Sequence, residues 1–589
     1  MRLILLKTKM KKIFEKIDKK ILAFLLILMI FSGVVRGYNF KEWLLVRADQ
    51  IRDSETAREV LDNGIGHLRL LGPKISNAAL PGEEGKGATF NMGPYYYYSQ
   101  AFSMSLFGNP SPWTIAVPDF VSSLLAIPIF YLVVSMFFSR RTSVLTTILF
   151  SFSFLILQYS RFSWNPNQLI FWQLFFIYSV LKFAENKKGK GWWFVSSILG
   201  LLVISQLHFL AIVATSLVFL IFFVYQRGWQ KLKPKYYLMA LGLILIFNFP
   251  IIISDIKNDG DNFRRMLVGV SQQSSDSSFF ENFITTVEKS SEFYLYFPLS
   301  ISEDELSQIK PISIFYLISS LAFLSLIFQK RKKINFLRNI EPKNKRALAL
   351  LVLLYFGFYF LATTGMADRL EKPRYWLSIA PVSFLVVAFW LEWLGSFSKK
   401  KIGLVLVLGI FGFMLFQNLY STYYFYSALK EGEKPELPYK DPISRPHRNL
   451  ITFGSINRVT DKMSEIARKE KTNICYLSKD YQTKNAYKYI VENYYSDLMI
   501  KRLDLDTESS GDCVMFYISE YGDSAKKLKE KFPDRLEFDR IGKDGAIALW
   551  RLNVKEEKDR EVQRISIFEE VPEKEDKVRL WKEVFEQQK

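Results

Sequence analysis

The hydrophobic residues of this 589-residue chain are gathered into long runs that short polar segments separate. A helix needs about 20 apolar residues to cross the hydrocarbon core of a bilayer, so we expect these runs to be membrane-spanning helices. The runs lie at 21–36, 113–138, 142–158, 167–184, 192–207, 209–226, 237–254, 311–329, 347–364, 375–396 and 402–420. The pattern predicts a mainly α-helical, polytopic membrane bundle of about eleven spans.

The polar segments between these runs carry the charges that predict topology. Six basic clusters lie at the N-terminus (1–20), Arg140–Arg141, Lys187–Lys190, Arg227–Lys235, Lys330–Arg346 and Lys399–Lys401. The positive-inside rule places all six in the cytoplasm, which requires an even number of spans between neighbouring clusters. We therefore expect a multi-pass protein of the cell (plasma or inner) membrane with a cytoplasmic N-terminus, a first span retained as a signal anchor and an extracytoplasmic C-terminus. This topology requires 191–226 to form two spans with a break near Gln206–His208, because one tilted helix would invert every later loop.

Within a membrane domain at 21–420, this topology places two long loops outside, at 37–112 and 255–310. The part at 421–553 shows alternating helix and strand patterns that predict a small extracytoplasmic α/β domain. Cys475 and Cys513 each lie in a candidate strand, and they are expected either to form a disulfide or to be two buried thiols. Residues 554–589 are highly charged, and we expect them to form a solvated tail.

Composition narrows the possible functions. Of all residues 49% are hydrophobic, and the formal net charge is +20, but the positive charge sits in the loops of the first 420 residues. The excess is therefore a topology signal, and no nucleic-acid partner is expected. No cluster of His, Cys or carboxylates has metal-ligand spacing, so neither a metal nor another cofactor is expected. We interpret Asp504-Leu505-Asp506 as surface acidity.

The first outer loop holds the most informative polar pattern. Asp49, Arg52 and Asp53 are spaced at i, i+3 and i+4, so they share one face of the helix that the sequence predicts here. An arginine there can hold a phosphate with two hydrogen bonds, and a carboxylate can take a proton from an attacking hydroxyl. The simpler alternative is an ordinary surface helix with salt bridges.

Polar residues also interrupt or flank other apolar runs at the outer membrane boundary. Such groups are costly in a membrane unless they face a cavity or the headgroups, so they are candidate pocket residues. They are Tyr95 and Tyr96 in Gly-Pro-Tyr-Tyr, Arg161, Trp164, Asn165 and Asn167 in Ser-Arg-Phe-Ser-Trp-Asn-Pro-Asn, Gln206 and His208 in Gln-Leu-His, and Lys372 and Arg374 before the tenth run. His208 alone is more typical of packing, and the two basic residues also fit a role at the membrane interface.

Taken in order, these motifs resemble the membrane glycosyltransferases of the GT-C superfamily. Within it, residues 20–420 are similar to the glycosyltransferase family 39-like branch of protein O-mannosyltransferases and lipid A aminoarabinose transferases. The resemblance implies an inverting transfer of a sugar from a polyprenyl-phosphate donor, on the extracytoplasmic face and without a metal. It also implies that Asp49, with Asp53, is the catalytic carboxylate and that Arg52, Arg374 and Lys372 bind the lipid phosphate. Gln50 stands where the family commonly has a second carboxylate.

Two other function classes remain open at this point. One is a transporter or flippase of lipid-linked glycans, which the single-sided distribution of polar groups and the lack of a clear repeat disfavour. The other is a receptor or assembly protein that displays the C-terminal domain, which would leave the long first loop unexplained. The sequence indicates neither the sugar nor the acceptor, which could be a protein, a lipid or a polysaccharide.

Overall fold

The computed structural model describes residues 18–79, 87–185, 189–225, 232–271, 278–301, 310–321, 346–352, 357, 373–396, 400–432, 450–478, 484–502, 513–520, 536–554 and 579–586. Lys372 and Asp504-Leu505-Asp506 lie outside these ranges. Within them the protein is a bundle of helices with a small mixed sheet near the C-terminus.

The membrane part begins with α1 (Lys19–Gly37), which is followed by the first outer loop. That loop contains α2 (Ala48–Asn63), a two-stranded ribbon of β1 (Lys74–Ala79) and β2 (Gly87–Asn91), and α3 (Tyr95–Phe107). The bundle continues with α4 (Pro112–Ser135), α5 (Arg140–Ser151), α6 (Phe154–Tyr159), α7 (Leu169–Ala184), α8 (Lys190–Leu207), α9 (Phe209–Tyr225) and α10 (Pro234–Lys257). Its later helices are α11 (Asp261–Ser271), α12 (Phe279–Leu299), α13 (Lys310–Ser319), α14 (Ala380–Gly395) and α15 (Lys400–Glu431).

Six helical segments among the described residues are long and apolar enough to cross a membrane. They lie at Lys19–Gly37, Pro112–Ser135, Lys190–Leu207, Pro234–Lys257, Leu377–Gly395 and Lys401–Glu431. Each of them overlaps a predicted run, which confirms a multi-pass helical membrane protein. The number of eleven spans stays a prediction.

Several boundaries differ from those expected. The run at 142–158 is broken into α5 and α6, because Phe152 and Ser153 leave the helix between them. The expected outer loop 255–310 contains α12, whose buried face packs against α13, α14 and α15. Helix α15 continues to Glu431, eleven residues past the predicted domain boundary at 420.

The stretch 191–226 is divided as the sequence predicted. His208 has extended backbone angles, with φ −156° and ψ 121°, and it separates α8 from α9. The two helices pack against each other. The break is therefore confirmed, as the topology required.

Polar contacts bring several of the basic loops together at one end of the bundle. Asp18 accepts from Arg140 at 2.8 Å, which joins the start of α1 to the start of α5. Glu392, near the end of α14, accepts from the hydroxyl of Ser139 at 2.7 Å. The opposite ends of α1 and α15 meet through Tyr426, whose hydroxyl donates to the carbonyl oxygen of Val35 at 2.5 Å. These basic loops therefore share one end, as the charge pattern predicted.

The C-terminal domain has the α/β composition expected. It consists of α16 (Phe453–Glu470), β3 (Asn473–Ser478), α17 (Lys484–Tyr494), β4 (Ile500–Arg502), β5 (Cys513–Glu520), β6 (Leu536–Asp544) and β7 (Ile547–Val554). The strand order is β4-β3-β5-β7-β6, with β4 and β5 parallel to β3 and a hairpin of β6 and β7. That hairpin turns at Asp544-Gly545, where Gly545 takes a positive φ of 53°.

The domain packs directly on the first outer loop. The backbone N–H groups of Phe453 and Gly454 donate to the carbonyl oxygens of Leu44 and Glu42, at 2.8 and 2.9 Å. Arg458 donates to Glu42 at 2.8 Å and to Asp544 at 2.7 Å. The domain thus lies on the same side of the bundle as α2 and α3.

The expectation of a solvated tail is wrong for residues 579–586. Residues Trp581–Glu586 form α18, and Arg579 and Leu580 pair with the first outer loop. Leu580 and Val584 are buried, so this segment has an apolar side that covers other apolar residues. Its high charge concealed that short apolar pattern in the sequence.

The disulfide alternative is confirmed, because Cys475 of β3 and Cys513 of β5 are bonded, with Cα atoms 5.6 Å apart. Their separation of 38 residues constrains the unfolded chain, so replacing both with alanine should lower the free energy of unfolding of this domain by about 3–4 kcal/mol. Proteolysis of the full chain at increasing urea concentration measures this loss. Reduced wild-type protein should match the double variant. Reaction of denatured, unreduced wild-type protein with a thiol reagent would show that the bond is absent.

Candidate functional site

The three charged residues predicted for one face of α2 form an ion-pair cluster. The guanidinium of Arg52 donates to Asp49 Oδ1 at 2.9 Å and to Asp53 Oδ1 at 3.0 and 2.7 Å. The side chain of Asp49 is 47% exposed, whereas that of Asp53 is 1% exposed. Two carboxylates therefore hold one arginine, and of the two only Asp49 is open to a substrate.

Asp53 is enclosed between α2 and α3. Its second oxygen, Oδ2, accepts from Gln100 Nε2 at 3.4 Å. Burial raises the pKa of the Asp53 carboxyl above its ordinary value, and the neighbouring Arg52 guanidinium opposes that rise. Asp53 is thus placed to orient Arg52 and has little access to a reacting group.

Gln50, at the position where the resemblance led us to expect a second carboxylate, is a buried structural residue. Its side-chain Nε2 donates to the carbonyl oxygen of Ser163 at 2.5 Å, and its Oε1 accepts from the backbone N–H of Arg47 at 3.0 Å. The amide thus caps α2 and ties it to the segment 160–168. A carboxylate here could accept from Arg47 but could not donate to Ser163.

A buried carboxylate that sequence reasoning missed lies next to this cluster. Asp119 of α4 is fully buried, and its Oδ2 accepts from the Tyr96 hydroxyl at 2.9 Å and from the backbone N–H of Trp164 at 3.3 Å. The Tyr96 hydroxyl also bonds Ser163 Oγ at 2.7 Å, and Ser163 Oγ accepts from Gln100 at 2.6 Å. The available signal was an aspartate inside the apolar run 113–138.

Tyr95 and Gln206 are hydrogen-bonded to each other, and this contact joins helices instead of lining a pocket. Gln206 Oε1 accepts from the backbone N–H of Tyr95 at 3.0 Å, and its Nε2 donates to the carbonyl oxygen of Phe247 at 2.7 Å. A Cβ atom on Gly93 would lie 2.4 Å from Gln206 Cδ, which explains the glycine of the Gly-Pro-Tyr motif. The pair fixes α3 against α8 and α10.

Of the four predicted pocket residues in the segment 160–168, three make structural contacts. Asn165 donates to the carbonyl oxygen of Leu207 at 2.7 Å, and Asn167 donates to that of Phe162 at 2.6 Å. Arg161 is buried away from Arg52, where its guanidinium bonds the carbonyl oxygen of Arg36 and lies over the Tyr426 ring. These three residues hold the segment in place.

Trp164, His208 and Arg374 form a second group. The Arg374 guanidinium lies 4.9 Å from the ring centres of both Trp164 and Tyr375, and it donates to the Tyr375 hydroxyl at 2.9 Å. The His208 ring centre is 5.9 Å from that of Tyr375. This group connects to the carboxylates through Trp164, whose backbone N–H bonds Asp119.

Arg52 also lines a cavity of about 360 Å³ between α2, the β1–β2 ribbon and the ends of α10 and α11. Its lining includes five cationic side chains, those of Arg52, Arg69, Lys74, Arg265 and Arg579, and one carboxylate, Asp261. Arg374 is not among the lining residues, so the expected convergence of Arg52 and Arg374 on one phosphate is not seen in this cavity.

Besides Arg52, two lining arginines of this cavity are oriented by ion pairs. Arg69 donates to Glu59 at 3.2 Å and Arg265 to Asp261 at 2.9 Å. Arg69 Nε is buried and has no hydrogen-bond partner among the described residues. A guanidinium held by one carboxylate keeps other N–H groups for an anion, so the cavity has the donors that a phosphate needs.

The comparisons with known proteins agree with this architecture. Residues 91–253 match the family model of dolichyl-phosphate-mannose-protein mannosyltransferases. The chain is similar to ArnT from Cupriavidus metallidurans in the apo state, with a TM-score of 0.50 and 12% identity over 90% of this chain and 98% of that one. The chain has the fold of a GT-C glycosyltransferase. The resemblance that the sequence suggested is thereby confirmed.

Two further solved structures are more distant. ArnT from the same organism bound to undecaprenyl phosphate aligns with a TM-score of 0.49 and 12% identity, over 89% of this chain and 97% of that one. Arabinofuranosyltransferase AftD from Mycobacteria aligns with a TM-score of 0.42 and 9% identity, over 90% of this chain and 41% of that one. No curated protein matches the sequence.

The family match agrees with the predicted class of enzyme, a membrane glycosyltransferase. The matched segment contains Asp119, the segment 160–168 and Gln206–His208. It does not contain the Asp49–Asp53 cluster or Arg374, whose roles stay predictions. Among the described residues no three His, Cys, Asp or Glu side chains are grouped as metal ligands.

The role of Gln50 can be tested through stability. Gln50→Glu replaces the donor to the Ser163 carbonyl oxygen with an acceptor, so we expect a loss of about 1–3 kcal/mol in the free energy of unfolding. Thermal unfolding in detergent measures the change. Asp62→Asn on the same helix, where Asp62 pairs with Arg58 at 3.0 Å on the surface, is the control and should change stability little. Equal unfolding temperatures for Gln50→Glu and wild-type protein would contradict this role.

Proposed function

We propose that this chain is an inverting glycosyltransferase that moves a sugar from a polyprenyl-phosphate donor to an acceptor on the extracytoplasmic side of the cell membrane. The observation that carries the proposal is the position of Arg52. Its guanidinium contacts an exposed carboxylate, Asp49, and also lines the cationic cavity. A proton acceptor and a phosphate-binding wall therefore adjoin each other, as a transfer from a lipid phosphate requires.

In this proposal Asp49 is the base, because it is the accessible carboxylate of the cluster. An acceptor hydroxyl gives its proton to Asp49, and its oxygen attacks the anomeric carbon of the sugar. The bond from that carbon to the phosphate oxygen breaks, and the electron pair leaves with the polyprenyl phosphate. The phosphate gains one negative charge in this step.

The cationic cavity accounts for the stabilisation of that charge. Arg52 with Lys74 and Arg265 would face the leaving phosphate, and donors that are already oriented stabilise a developing charge without reorganisation. Asp53 orients Arg52 from the buried side. In this proposal Arg374, which lies with Trp164 in the second group, keeps the role of binding the donor that the resemblance implied. No acceptor is specified.

Asp49→Asn tests the proposed base. The substitution keeps the size of the side chain but removes its ability to take a proton, so kcat should fall at least about 100-fold. The measurement is transfer of labelled sugar from a polyprenyl-phosphate donor by membranes that carry the variant. Asp62→Asn on the same helix is the matched control and should retain activity. Full activity of Asp49→Asn would remove Asp49 from the mechanism.

The orientation that we propose places the first outer loop, the C-terminal domain and the site outside the cytoplasm. This follows from the shared end of the basic loops, together with the positive-inside rule. It can be tested with single cysteines, because the two native ones are bonded to each other.

In intact cells, a membrane-impermeant maleimide should label a cysteine at Tyr38→Cys, where the native side chain is 55% exposed at the outer end of α1. A cysteine at Arg141→Cys, which is exposed at the other end of the bundle, should react only after the cells are permeabilised. The opposite pattern of labelling would invert the topology.

A further inference from the structure

The segment Arg579–Glu586, here called the docked segment, joins the first outer loop by backbone hydrogen bonds. The N–H of Leu70 donates to the carbonyl oxygen of Arg579 at 2.9 Å, and the N–H of Trp581 donates to that of Leu68 at 3.2 Å. Arg69 and Leu580 are therefore paired as in an antiparallel ladder. Both arginines of this short pairing, Arg69 and Arg579, line the cationic cavity.

Side chains anchor the docked segment on the loop and on α10. Trp581 donates from Nε1 to the Tyr98 hydroxyl at 2.7 Å, and its ring stacks on Phe249 at 5.9 Å. Leu580 and Val584 are buried, and Val584 packs with Leu70. Trp581 is half-buried and combines ring packing with a hydrogen bond, and tryptophans are enriched among the residues that contribute most to interface energies.

Polar contacts fix the start of the same segment. Glu583 accepts from the backbone N–H groups of Arg579 and Leu580, at 2.6 and 2.9 Å. Lys582 Nζ lies 2.8 Å from His67 Nε2 on the loop. The backbone of Arg579 is thus held from both sides, and this places its side chain at the cavity wall.

We propose that the docked segment is part of the binding site for the phosphate of the donor, with Arg579 as a phosphate-binding residue. The inference rests on the proposed function, since it specifies how that same cavity recognises its ligand. Docking supplies one cation directly, and it positions a second, Arg69, through the paired backbone. A phosphate that contacts Arg579 therefore stabilises docking, and docking strengthens phosphate binding by the same factor.

The alternative is that the docked segment only stabilises the loop. The two roles differ in what they change. A structural segment would alter the unfolding temperature and lower kcat and binding together, whereas a phosphate-binding residue changes the affinity for a phosphate and its dependence on salt. Arg579→Ala and Arg579→Lys separate charge from packing, and Trp581→Ala releases the anchor.

The experiment titrates a short-chain polyprenyl monophosphate into the purified full-length protein in detergent at two salt concentrations. Arg579→Ala should weaken binding about tenfold or more and reduce the salt dependence, since a charged hydrogen bond to phosphate is lost. Arg579→Lys should recover part of the affinity, and Trp581→Ala should weaken binding like Arg579→Ala. Phe585→Ala, a residue of the same segment that is 64% exposed, is the matched control and should bind like wild-type protein.

Two further readouts complete the test. In transfer assays Arg579→Ala should raise KM for the donor and lower kcat/KM. Hydrogen exchange at the amides of Leu70 and Trp581 should slow when the polyprenyl monophosphate is added to wild-type protein.

Different results would contradict the inference and the proposed function. If Arg265→Ala loses binding while Arg579→Ala and Trp581→Ala bind like wild-type protein, the docked segment has no part in the site and the inference is wrong. If wild-type protein neither binds the polyprenyl monophosphate nor transfers sugar, the proposed function fails and the inference fails with it. Equal loss of binding and unfolding temperature in Arg579→Lys and Arg579→Ala would assign the segment a structural role only.

Discussion

The end of this molecule that carries α2 and α3 is organised around one residue, Ser163. Its carbonyl oxygen accepts from Gln50 of α2, and its hydroxyl bonds both Tyr96 and Gln100 of α3. Through Tyr96 the same network reaches Asp119 of α4. Buried polar groups are costly when unpaired, so these bonds fix the relative positions of three helices and one loop. The ion-pair cluster of Asp49, Arg52 and Asp53 and the second group around Arg374 both depend on that arrangement.

The sequence predicts well what depends on local patterns. The break at His208 follows from polar residues inside an apolar run, and the hairpin of the C-terminal domain follows from alternation around Asp544-Gly545. The ion pair of Arg52 with Asp49 was also predictable, because residues at i and i+3 are neighbours on any helix. Spacing along one element is enough information for such contacts.

The sequence predicts poorly what depends on contacts between distant segments. Asn165 and Gln206 were expected to line a pocket because they are polar, but their side chains bond backbone groups of other elements, and one of these groups is the N–H of Tyr95. The side chains of the cationic cavity come from segments that lie far apart in the chain, so no local sequence pattern predicts the cavity. Asp119 was detectable as a charge in an apolar run, but its partners were not.

The docked segment also constrains when the cavity can form. Leu70 and Arg579 are bonded to each other but are 509 residues apart in the sequence. During synthesis the first outer loop is made before the rest of the bundle, and the docked segment is made only after the bundle and the C-terminal domain. The cavity therefore cannot have all five of its cationic side chains on a chain that has not yet reached Arg579. A polypeptide synthesised only as far as the bundle would carry α2 with its carboxylates, but it would lack Arg579 and the backbone pairing that positions Arg69.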